Sequence, residues 1–269
     1  MGGKLRLDKM LGHLGYGTRS EIKRLVKEGA VTVNGRTAKD SGMAVDPERD
    51  AVAFRGEPVR YREFIYLMMN KPAGVISATE DTREKTVVDL LTPEQAAFRP
   101  FPVGRLDKDT EGLLLLTNDG QLAHRLLSPK KHVPKTYYAE VAGRVTEADG
   151  ASFARGVALD DGYVTLPAAL RLLRVEPAAD AERREPSALA ADRPPVEGAD
   201  KVRSFVELTI TEGKFHQVKR MFEAVGKKVT YLKRLSMGAL TLDESLPLGA
   251  VRELTDEELR SLQGTDAQP

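Results

Sequence analysis

The chain has 269 residues, no cysteine, and a net charge of +1 from 41 basic and 40 acidic residues. This length is sufficient for one large domain or two smaller ones, each with a hydrophobic core. The absence of cysteine excludes disulfides, thiolate metal sites and a cysteine nucleophile, and it fits a reducing cytoplasm. No stretch approaches the roughly 20 apolar residues of a membrane span, and the first ten residues contain no apolar signal core. The sequence therefore predicts a soluble, cytoplasmic protein with no membrane association.

Basic residues are concentrated at the start of the chain. Residues 1–39 contain nine lysines and arginines and three acidic residues, a net charge of +6 in a chain whose total is +1. A localised basic patch is typical of nucleic-acid binding, although a generic basic domain would share it. The candidate RNA contacts lie on the outer face of one predicted helix, and they are Arg19, Lys23, Arg24 and Lys27.

The same segment has the pattern of two helices followed by a hairpin. Apolar residues recur at helical spacing over residues 5–14. Thr18 and Glu21 form the capping box of a second helix, which Gly29 ends. Asn34–Gly35 is a typical hairpin turn. This arrangement resembles the small RNA-binding module named after a ribosomal small-subunit protein.

Polar residues 46–62, with two prolines and short strand-like pieces around Val52 and Val59, are interpreted as a domain junction. A hydrophobic strand follows and leads to Lys71, just before a Pro-Ala-Gly turn. At this position Lys71 is either a phosphate contact or a solvated turn residue.

The central stretch of the chain is GRLDKDTEGLLLLTNDG, residues 104–120. Four consecutive leucines before a turn signal predict a short strand buried on both faces. The charged segment before them is then a loop against the core, where Asp107 is well placed as a catalytic carboxylate. One alternative is a solvated turn. Another is a metal loop, since Asp107, Asp109 and Glu111 alternate like calcium ligands, but the glycine and the distal glutamate lack EF-hand spacing.

Two further segments carry clustered basic residues. Lys130, Lys131 and Lys135 precede a predicted strand, Tyr137 to Val141, and they form either an edge that follows RNA or a solvated loop. In KFHQVKRMF, Lys219 and Arg220 fall in the first turns of a predicted helix. Cations there oppose the helix dipole, which indicates an anionic partner.

Residues 176–200 differ in composition from the rest of the chain. They contain four prolines, seven alanines and seven acidic residues, with Leu189 and Val196 as their only larger aliphatic residues. Such a segment cannot bury enough apolar surface to offset the entropy of ordering it. The sequence predicts a disordered surface insertion here, between two strands of one domain.

The motifs RLD, DT-x-G with its apolar run, K-x-Y and EGK-x-HQVKRMF follow one another behind the basic module. In this order they resemble the RsuA-type pseudouridine synthases, over the whole chain except residues 176–200. The resemblance implies an α+β protein with a ribosomal-protein-like RNA-binding domain at residues 1–60. A pseudouridine synthase domain follows at residues 61–262, built on a mixed, mostly antiparallel sheet. It also implies an isomerase that converts uridine to pseudouridine without a cofactor or a metal.

The resemblance assigns roles to individual residues. Asp107 is the essential carboxylate, which either bonds to the sugar or removes a proton in a glycal route. Lys219 is its cationic partner, at a position where more distant synthases have arginine. Tyr137 stacks on the uracil or acts on its proton, and Arg105 enters the RNA stack when the nucleotide is extruded. Asp109 and Thr110 are expected to fix the loop, and His216 and Gln217 are expected to be structural or backbone-contacting.

Residues 66–81 and the tail LTDEEL point to the family member that acts on small-subunit (16S) ribosomal RNA. The expected partner is therefore ribosomal RNA within a precursor ribosomal particle, bound by a monomer. Two alternatives are the same reaction on a large-subunit (23S) uridine and a non-catalytic RNA-binding assembly factor.

Overall fold

The computed structural model describes residues 3–177 and 202–264. The chain divides into two units. The first unit combines the residues up to Ile65 with Leu91–Phe101 and Thr117–Asp119, and the second combines Tyr66–Leu90, Pro102–Leu116 and the residues from Gly120 onward. The predicted division at residue 60 stays a prediction. In the described residues, no helix is both long enough and apolar enough to cross a bilayer.

The first unit contains three helices and short strands in its described residues. The elements are β1 (Leu5–Arg6), α1 (Leu7–His13), α2 (Arg19–Lys27), β2 (Val31–Val33), β3 (Arg36–Thr37), β4 (Ala44–Val45), β5 (Val52–Phe54), β6 (Glu57–Pro58) and α3 (Pro93–Ala97). Strand β1 pairs with β4 in a two-stranded sheet, and the other four strands form a sheet of order β3-β2-β5-β6. The predicted helix–helix–hairpin is confirmed.

Helix α2 begins as its sequence predicts. The Thr18 hydroxyl accepts a bond from the Glu21 backbone N–H, and the Glu21 carboxylate accepts one from the Thr18 N–H at 2.7 Å. Ile22 and Val26 are buried on its inner face. The outer face exposes four basic residues: Arg19, Lys23, Arg24 and Lys27.

Residues 46–62 form part of this unit. Val52 and Val59 are buried in the same core as α1 and α2. Strands β5 and β6 from this segment complete the four-stranded sheet. The segment is therefore a folded part of the first unit, and its interpretation as a junction is wrong from Val52 to Val59.

The larger sheet has nine strands in the described residues, in the order β11-β12-β10-β13-β9-β7-β15, with β14 beside β13 and β8 beside β9. Strands β13 and β9 pair in parallel, whereas β10/β12, β10/β13, β11/β12, β13/β14 and β15/β7 are antiparallel. The strands are β7 (Tyr66–Lys71), β8 (Phe101–Pro102), β9 (Glu111–Thr117), β10 (Lys135–Ala142), β11 (Ala169–Pro177), β12 (Val202–Ile210), β13 (Lys228–Met237), β14 (Leu240–Thr241) and β15 (Val251–Glu253).

The helices of the second unit are α4 (Gly120–Leu127), α5 (Glu147–Arg155), α6 (Gln217–Ala224) and α7 (Asp256–Gln263). The α+β fold with a mixed, mostly antiparallel sheet is confirmed. The four leucines of β9 are fully buried, as the uninterrupted apolar run predicts. The insertion predicted at 176–200 lies outside the described residues from residue 178 onward. Its first two residues, Glu176 and Pro177, end β11.

Gly112 allows β9 to approach β13 at the start of the parallel pairing. It pairs with Arg234 and has a φ of +99°. A Cβ atom at this position would lie 2.3 Å from the Arg234 carbonyl oxygen and 2.8 Å from its nitrogen. Both atoms belong to the backbone, which cannot move aside without separating the strands.

Gly112→Ala is therefore expected to lower the free energy of unfolding by roughly 2–4 kcal/mol, from backbone strain and overpacking together. Urea unfolding of the purified protein measures this change. Gly120→Ala is the matched control, because its Cβ would meet no atom within 4 Å. Equal stabilities for the two variants would contradict the close approach.

Candidate active site

The second unit contains a cavity of about 750 Å³. Its lining includes the loop Gly104–Thr110, here called the RLD loop, residues of strands β10 and β13, and the segment leading into α6. This size is typical of a small-molecule or nucleotide site. Asp107 and Tyr137 both line it.

Lys71, the last residue of β7, fixes the backbone of the RLD loop. The Lys71 side chain is completely buried, and its Nζ donates to the carbonyl oxygens of Pro72, Asp107 and Thr110 at 2.9–3.0 Å. Ser77 holds the other side of the loop, since its hydroxyl donates to the Leu106 carbonyl and accepts from the Leu106 N–H. The backbone on both sides of Asp107 is therefore fixed.

This position corrects both interpretations of Lys71. Burial lowers the pKa of Lys71 to about 8, although the charges of Asp109, Asp107 and Glu111 act in the opposite direction. A completely buried ammonium cannot reach an RNA phosphate, nor is it a solvated turn residue. The prediction that Lys71 contacts RNA is wrong, and its structural role is to position the RLD loop.

The Asp107 carboxylate faces a cation from α6. Lys219 Nζ donates to Asp107 Oδ2 at 3.0 Å and to Asp109 Oδ1 at 2.6 Å. Burial acts to lower the pKa of Lys219, but the two carboxylates outweigh it and the pKa is raised. Burial similarly acts to raise the pKa of Asp109, and the hydrogen bond and charge of Lys219 reverse this, so the pKa is lowered. The Asp107 side chain is 26% exposed and the Asp109 side chain 67% exposed.

His216 also faces Asp107. Its Nε2 lies 3.5 Å from Asp107 Oδ1, and its backbone is left-handed, with a φ of +49°. The His216 ring stacks on Phe215 at a centroid distance of 3.8 Å, and Phe215 is 70% exposed. Sequence reasoning assigned His216 a structural or backbone-contacting role. Its position directly before the helix that carries Lys219 was the available signal.

The turn before α6 is fixed by a buried polar network. Gln217 Oε1 accepts from the Lys214 N–H at 2.9 Å, and its Nε2 donates to Glu212 at 2.7 Å. Glu212 also accepts a bond from the Tyr163 hydroxyl at 2.7 Å. Gln217 therefore sets the direction in which α6 starts, and with it the position of Lys219.

Tyr137 lies opposite Arg234 on the neighbouring strands β10 and β13. Both residues are buried and both line the cavity. Tyr138 points to the other face of the sheet, where its ring contacts Tyr231 edge-on at 6.0 Å. Sequence reasoning did not identify Arg234, because it lies within an ordinary strand.

Comparison with known proteins gives two matches along the chain. The S4 domain matches residues 5–50, and the RNA pseudouridylate synthase family matches residues 65–224. The chain belongs to the RNA pseudouridylate synthase family. Its basic first unit contains the S4 domain, and Asp107 and most of the cavity lining lie in the part that matches the synthase family.

Similar full-length proteins agree with this synthase assignment. An "Uncharacterized RNA pseudouridine synthase YtzG" of Bacillus subtilis is 53% identical, over 98% of this chain and 100% of that protein. "Ribosomal small subunit pseudouridine synthase A" of Salmonella typhimurium is 38% identical, over 96% and 100%. "Ribosomal large subunit pseudouridine synthase B" of Bacillus subtilis is also 38% identical, over 96% and 95%. A crystal structure titled pseudouridylate synthase matches with a TM-score of 0.60 at 36% identity, covering 96% of this chain and 99% of that one.

The residues predicted to contact RNA lie in different environments in the structure. Arg105 is exposed in the RLD loop, and Lys130 and Lys131 are exposed in the short turn after α4. Lys135 is buried, lines the cavity and donates to the Val133 carbonyl at 2.8 Å. Lys135 is therefore not part of an exposed edge that follows RNA, and the prediction is wrong for this residue.

Arg220 of the synthase is engaged within the protein. Its guanidinium bonds to Asp160 and pairs with Asp161 at 2.7 Å. These interactions raise the pKa of Arg220 and lower that of Asp161. Arg220 thus ties α6 to the loop after α5, and its predicted role as an RNA contact would require these two carboxylates to release it.

The three carboxylates that resembled a calcium loop have separate partners in the synthase. Asp107 and Asp109 share Lys219, whereas Glu111 accepts a hydrogen bond from the Tyr231 hydroxyl at 2.6 Å. Glu111 is buried in β9 and does not face the same point as the other two. The carboxylates therefore form ion pairs and hydrogen bonds within the chain, and the metal-loop alternative is not supported by this geometry.

Proposed function

We propose that this synthase isomerises one uridine of small-subunit (16S) ribosomal RNA to pseudouridine, with Asp107 as the catalytic carboxylate and without a cofactor or a metal. The observation that carries the proposal is the 3.0 Å pair of Asp107 and Lys219 at the edge of a cavity that also contains Tyr137. A carboxylate that must react while ionised needs a cation close to it in a partly dry site.

The reaction requires the C1′–N1 bond of the uridine to break and a C1′–C5 bond to form. Asp107 assists the first step either by bonding to C1′ or by taking a proton from C2′. Both routes use the ionised carboxylate, and the rigid RLD loop holds it in place. Tyr137, on the wall of the cavity, is placed to stack on the base or to accept its C5 proton.

Two features outside the cavity serve the RNA. Arg105 is exposed two residues before Asp107, where it can enter the RNA stack as the target nucleotide leaves it. The basic face of α2 can contact phosphates, and exposed Lys130 and Lys131 can extend this surface.

The small subunit is favoured by residues 66–81 and the LTDEEL tail, which resemble the 16S-specific member of the family. The relative named for the small subunit supports it as well. A relative named for the large subunit is equally similar, so a 23S uridine is the second candidate. We further propose that the synthase acts as a monomer on ribosomal RNA within a precursor particle.

Mapping pseudouridines in both ribosomal RNAs, in cells with and without this protein, tests the proposal. We expect one 16S pseudouridine to disappear and to return with the wild-type protein, but not with Asp107→Asn. Loss of a 23S pseudouridine would favour the second candidate. Unchanged pseudouridines in both RNAs would contradict ribosomal RNA as the substrate.

Neutralising α2 tests the proposed phosphate contacts. Replacing Arg19, Lys23, Arg24 and Lys27 by glutamine is expected to weaken RNA binding and flatten its salt dependence. The slope of log K against log salt should fall by about 0.7–0.9 for each phosphate that the variant no longer neutralises. Fluorescence anisotropy with labelled RNA at several salt concentrations measures this slope.

Substitution is preferable to deletion of the first 60 residues. His13 bonds to the Glu63 carbonyl at 2.9 Å and packs on the Phe98 ring at 4.9 Å, so a deletion would uncover apolar surface. The matched control replaces four exposed acidic residues elsewhere by glutamine: Glu57, Glu147, Glu223 and Glu244. An unchanged slope in the α2 variant would refute the phosphate contacts.

A further inference from the structure

Two buried cations at the cavity have no role in the function proposed above. Arg234 is 2% exposed and Lys135 is 9% exposed, and both line the cavity. They lie on the neighbouring strands β13 and β10, on the same face of the sheet as Tyr137. Within residues 3–177 and 202–264, no carboxylate forms an ion pair with either of them.

Arg234 has an unused donor. Its Nε donates to the Leu113 carbonyl at 2.8 Å, which fixes the guanidinium across β9 and β13. Its Nη2 is buried and has no hydrogen-bond partner in the described part of the chain. An unsatisfied buried charged donor is costly, so its retention beside a cavity indicates a bound group that accepts from it.

Lys135 also has unused hydrogen-bond donors. Its Nζ donates to the Val133 carbonyl at 2.8 Å, and an ammonium has three donors. Burial and the nearby charge of Arg234 lower the pKa of Lys135 to about 8. The two cations therefore repel one another, and an anion between them would relieve both the repulsion and the missing bonds.

We propose that Arg234 and Lys135 form an anion subsite that binds the uracil ring as its monoanion while the ring is detached from the sugar. The proposal rests on the isomerase function proposed above. When the C1′–N1 bond breaks, its electron pair stays on the base, so the ring leaves as a monoanion with its charge on N1, O2 and O4. When C5 bonds to C1′, the C5 proton departs and N1 gains a proton, so product and substrate have the same atoms.

The depth of the subsite favours the base over a phosphate. Arg234 and Lys135 belong to the buried part of the cavity wall, whereas the basic residues of α2 and the turn after α4 are exposed. A flipped nucleotide inserts its base into such a pocket, and its phosphates stay near the surface. Donors already fixed where negative charge develops stabilise that charge without reorganisation.

A leaving-group test distinguishes this role from a structural one. Lys135→Met keeps the apolar stem and deletes the charge, and it is assayed on RNA with uridine or 5-fluorouridine at the target position. Single-turnover loss of the parent nucleoside, after digestion and chromatography, reports cleavage of the C1′–N1 bond. Fluorine stabilises the base anion. The 5-fluoro substitution should therefore partly restore the cleavage rate of a variant that lacks one of the two cations.

We expect Lys135→Met to slow the uridine reaction about 100-fold, as loss of one such donor does elsewhere. On 5-fluorouridine RNA the same variant should lose about tenfold or less, with RNA affinity within a few-fold of wild type. Lys135→Arg should recover part of the rate, and Arg234→Lys should show the same dependence on the leaving group. Lys227→Met is the control, since it removes a cation of similar burial that pairs with Asp149 at 2.7 Å outside the cavity.

Equal losses on the two RNAs would overturn the subsite. Weaker RNA binding with a flatter salt dependence would do so too, and would assign Lys135 to a phosphate. If the wild type formed no pseudouridine in any RNA, the proposed function would fail together with the inference. A normal wild type with no leaving-group effect in the variants would remove the inference alone. If Arg234→Lys does not fold, the result for Lys135→Met alone decides whether the subsite exists.

Discussion

Pseudouridine formation is expected to stop when Asp107 is replaced by asparagine, while affinity for the RNA changes by no more than a few-fold. Asparagine has nearly the same shape, so the RLD loop keeps its bonds to Lys71, which are made by backbone carbonyls and not by the Asp107 side chain. It can neither bond to C1′ nor accept the C2′ proton, so the rate should fall by about 10⁴-fold or more.

Asp109→Asn is the matched control, because Asp109 bonds to the same Lys219 but is largely exposed. This change should lower the rate by less than about tenfold, since Asp107 keeps its own bond to the lysine. Both variants are compared by single-turnover pseudouridine assays and by anisotropy binding to the same RNA. Turnover of Asp107→Asn within tenfold of wild type would remove Asp107 from the chemistry.

Lys219→Met is expected to give the second largest loss, about 10²-fold to 10³-fold at neutral pH. The substitution keeps the length of the side chain and deletes the charge that faces Asp107. In wild type the raised pKa of Lys219 keeps it charged throughout the range in which carboxylates titrate. Without this cation the Asp107 carboxylate loses its ion pair and is held less firmly for reaction.

Two further variants separate the charge of Lys219 from the side chain that carries it. Lys219→Arg should keep much of the wild-type rate, because it retains a cation opposite Asp107. Arg220→Met, one residue later and paired with Asp160 and Asp161, should lower the rate much less than Lys219→Met. If Lys219→Met lost RNA affinity while its single-turnover rate stayed near wild type, the lysine would be assigned to the RNA backbone.

Local patterns in the sequence predicted the elements that local interactions determine. The capping box of α2 follows from Thr18 and Glu21, three residues apart, and it is present in the structure. The buried strand β9 follows from four consecutive leucines. The central position of Asp107 also follows from this strand, because a charged loop directly before a buried strand must lie at its end.

Elements without such a pattern were missed or left without bounds. Helix α5 was not predicted, because it contains Gly150 and buries only Asp149 and Phe153, so it lacks an apolar stripe. Strand β11 was expected only as the strand before the insertion. It lies at the edge of the sheet and is largely exposed along both faces, so its residues do not alternate and its bounds could not be predicted. Both elements depend on neighbours that are distant in the sequence.

The least predictable part of the site is its network of long-range hydrogen bonds. Lys71 reaches carbonyls 36 and 39 residues later, and Arg234 reaches Leu113 across 121 residues. None of these bonds leaves a signal in the local sequence, because a lysine before a turn and an arginine in a strand are both common. The resemblance to a family pointed to Asp107 and Lys219. The sequence pointed to Lys135 only as an RNA contact on an outer edge, whereas its burial at the cavity and the role of Arg234 came from the three-dimensional arrangement alone.

The separation of Asp107 from Lys219 by 112 residues has a consequence for biosynthesis. A chain still on the ribosome with its first 200 residues complete has the basic helix and the RLD loop, but it lacks α6 and β13. It contains Asp107 without Lys219, without the strand β13 that pairs in parallel with β9, and without Arg234. Isomerase activity should therefore arise in a single late step, once β13 has left the exit tunnel and paired with β9. Truncated products of interrupted translation would carry the RNA-binding face without the ability to modify RNA.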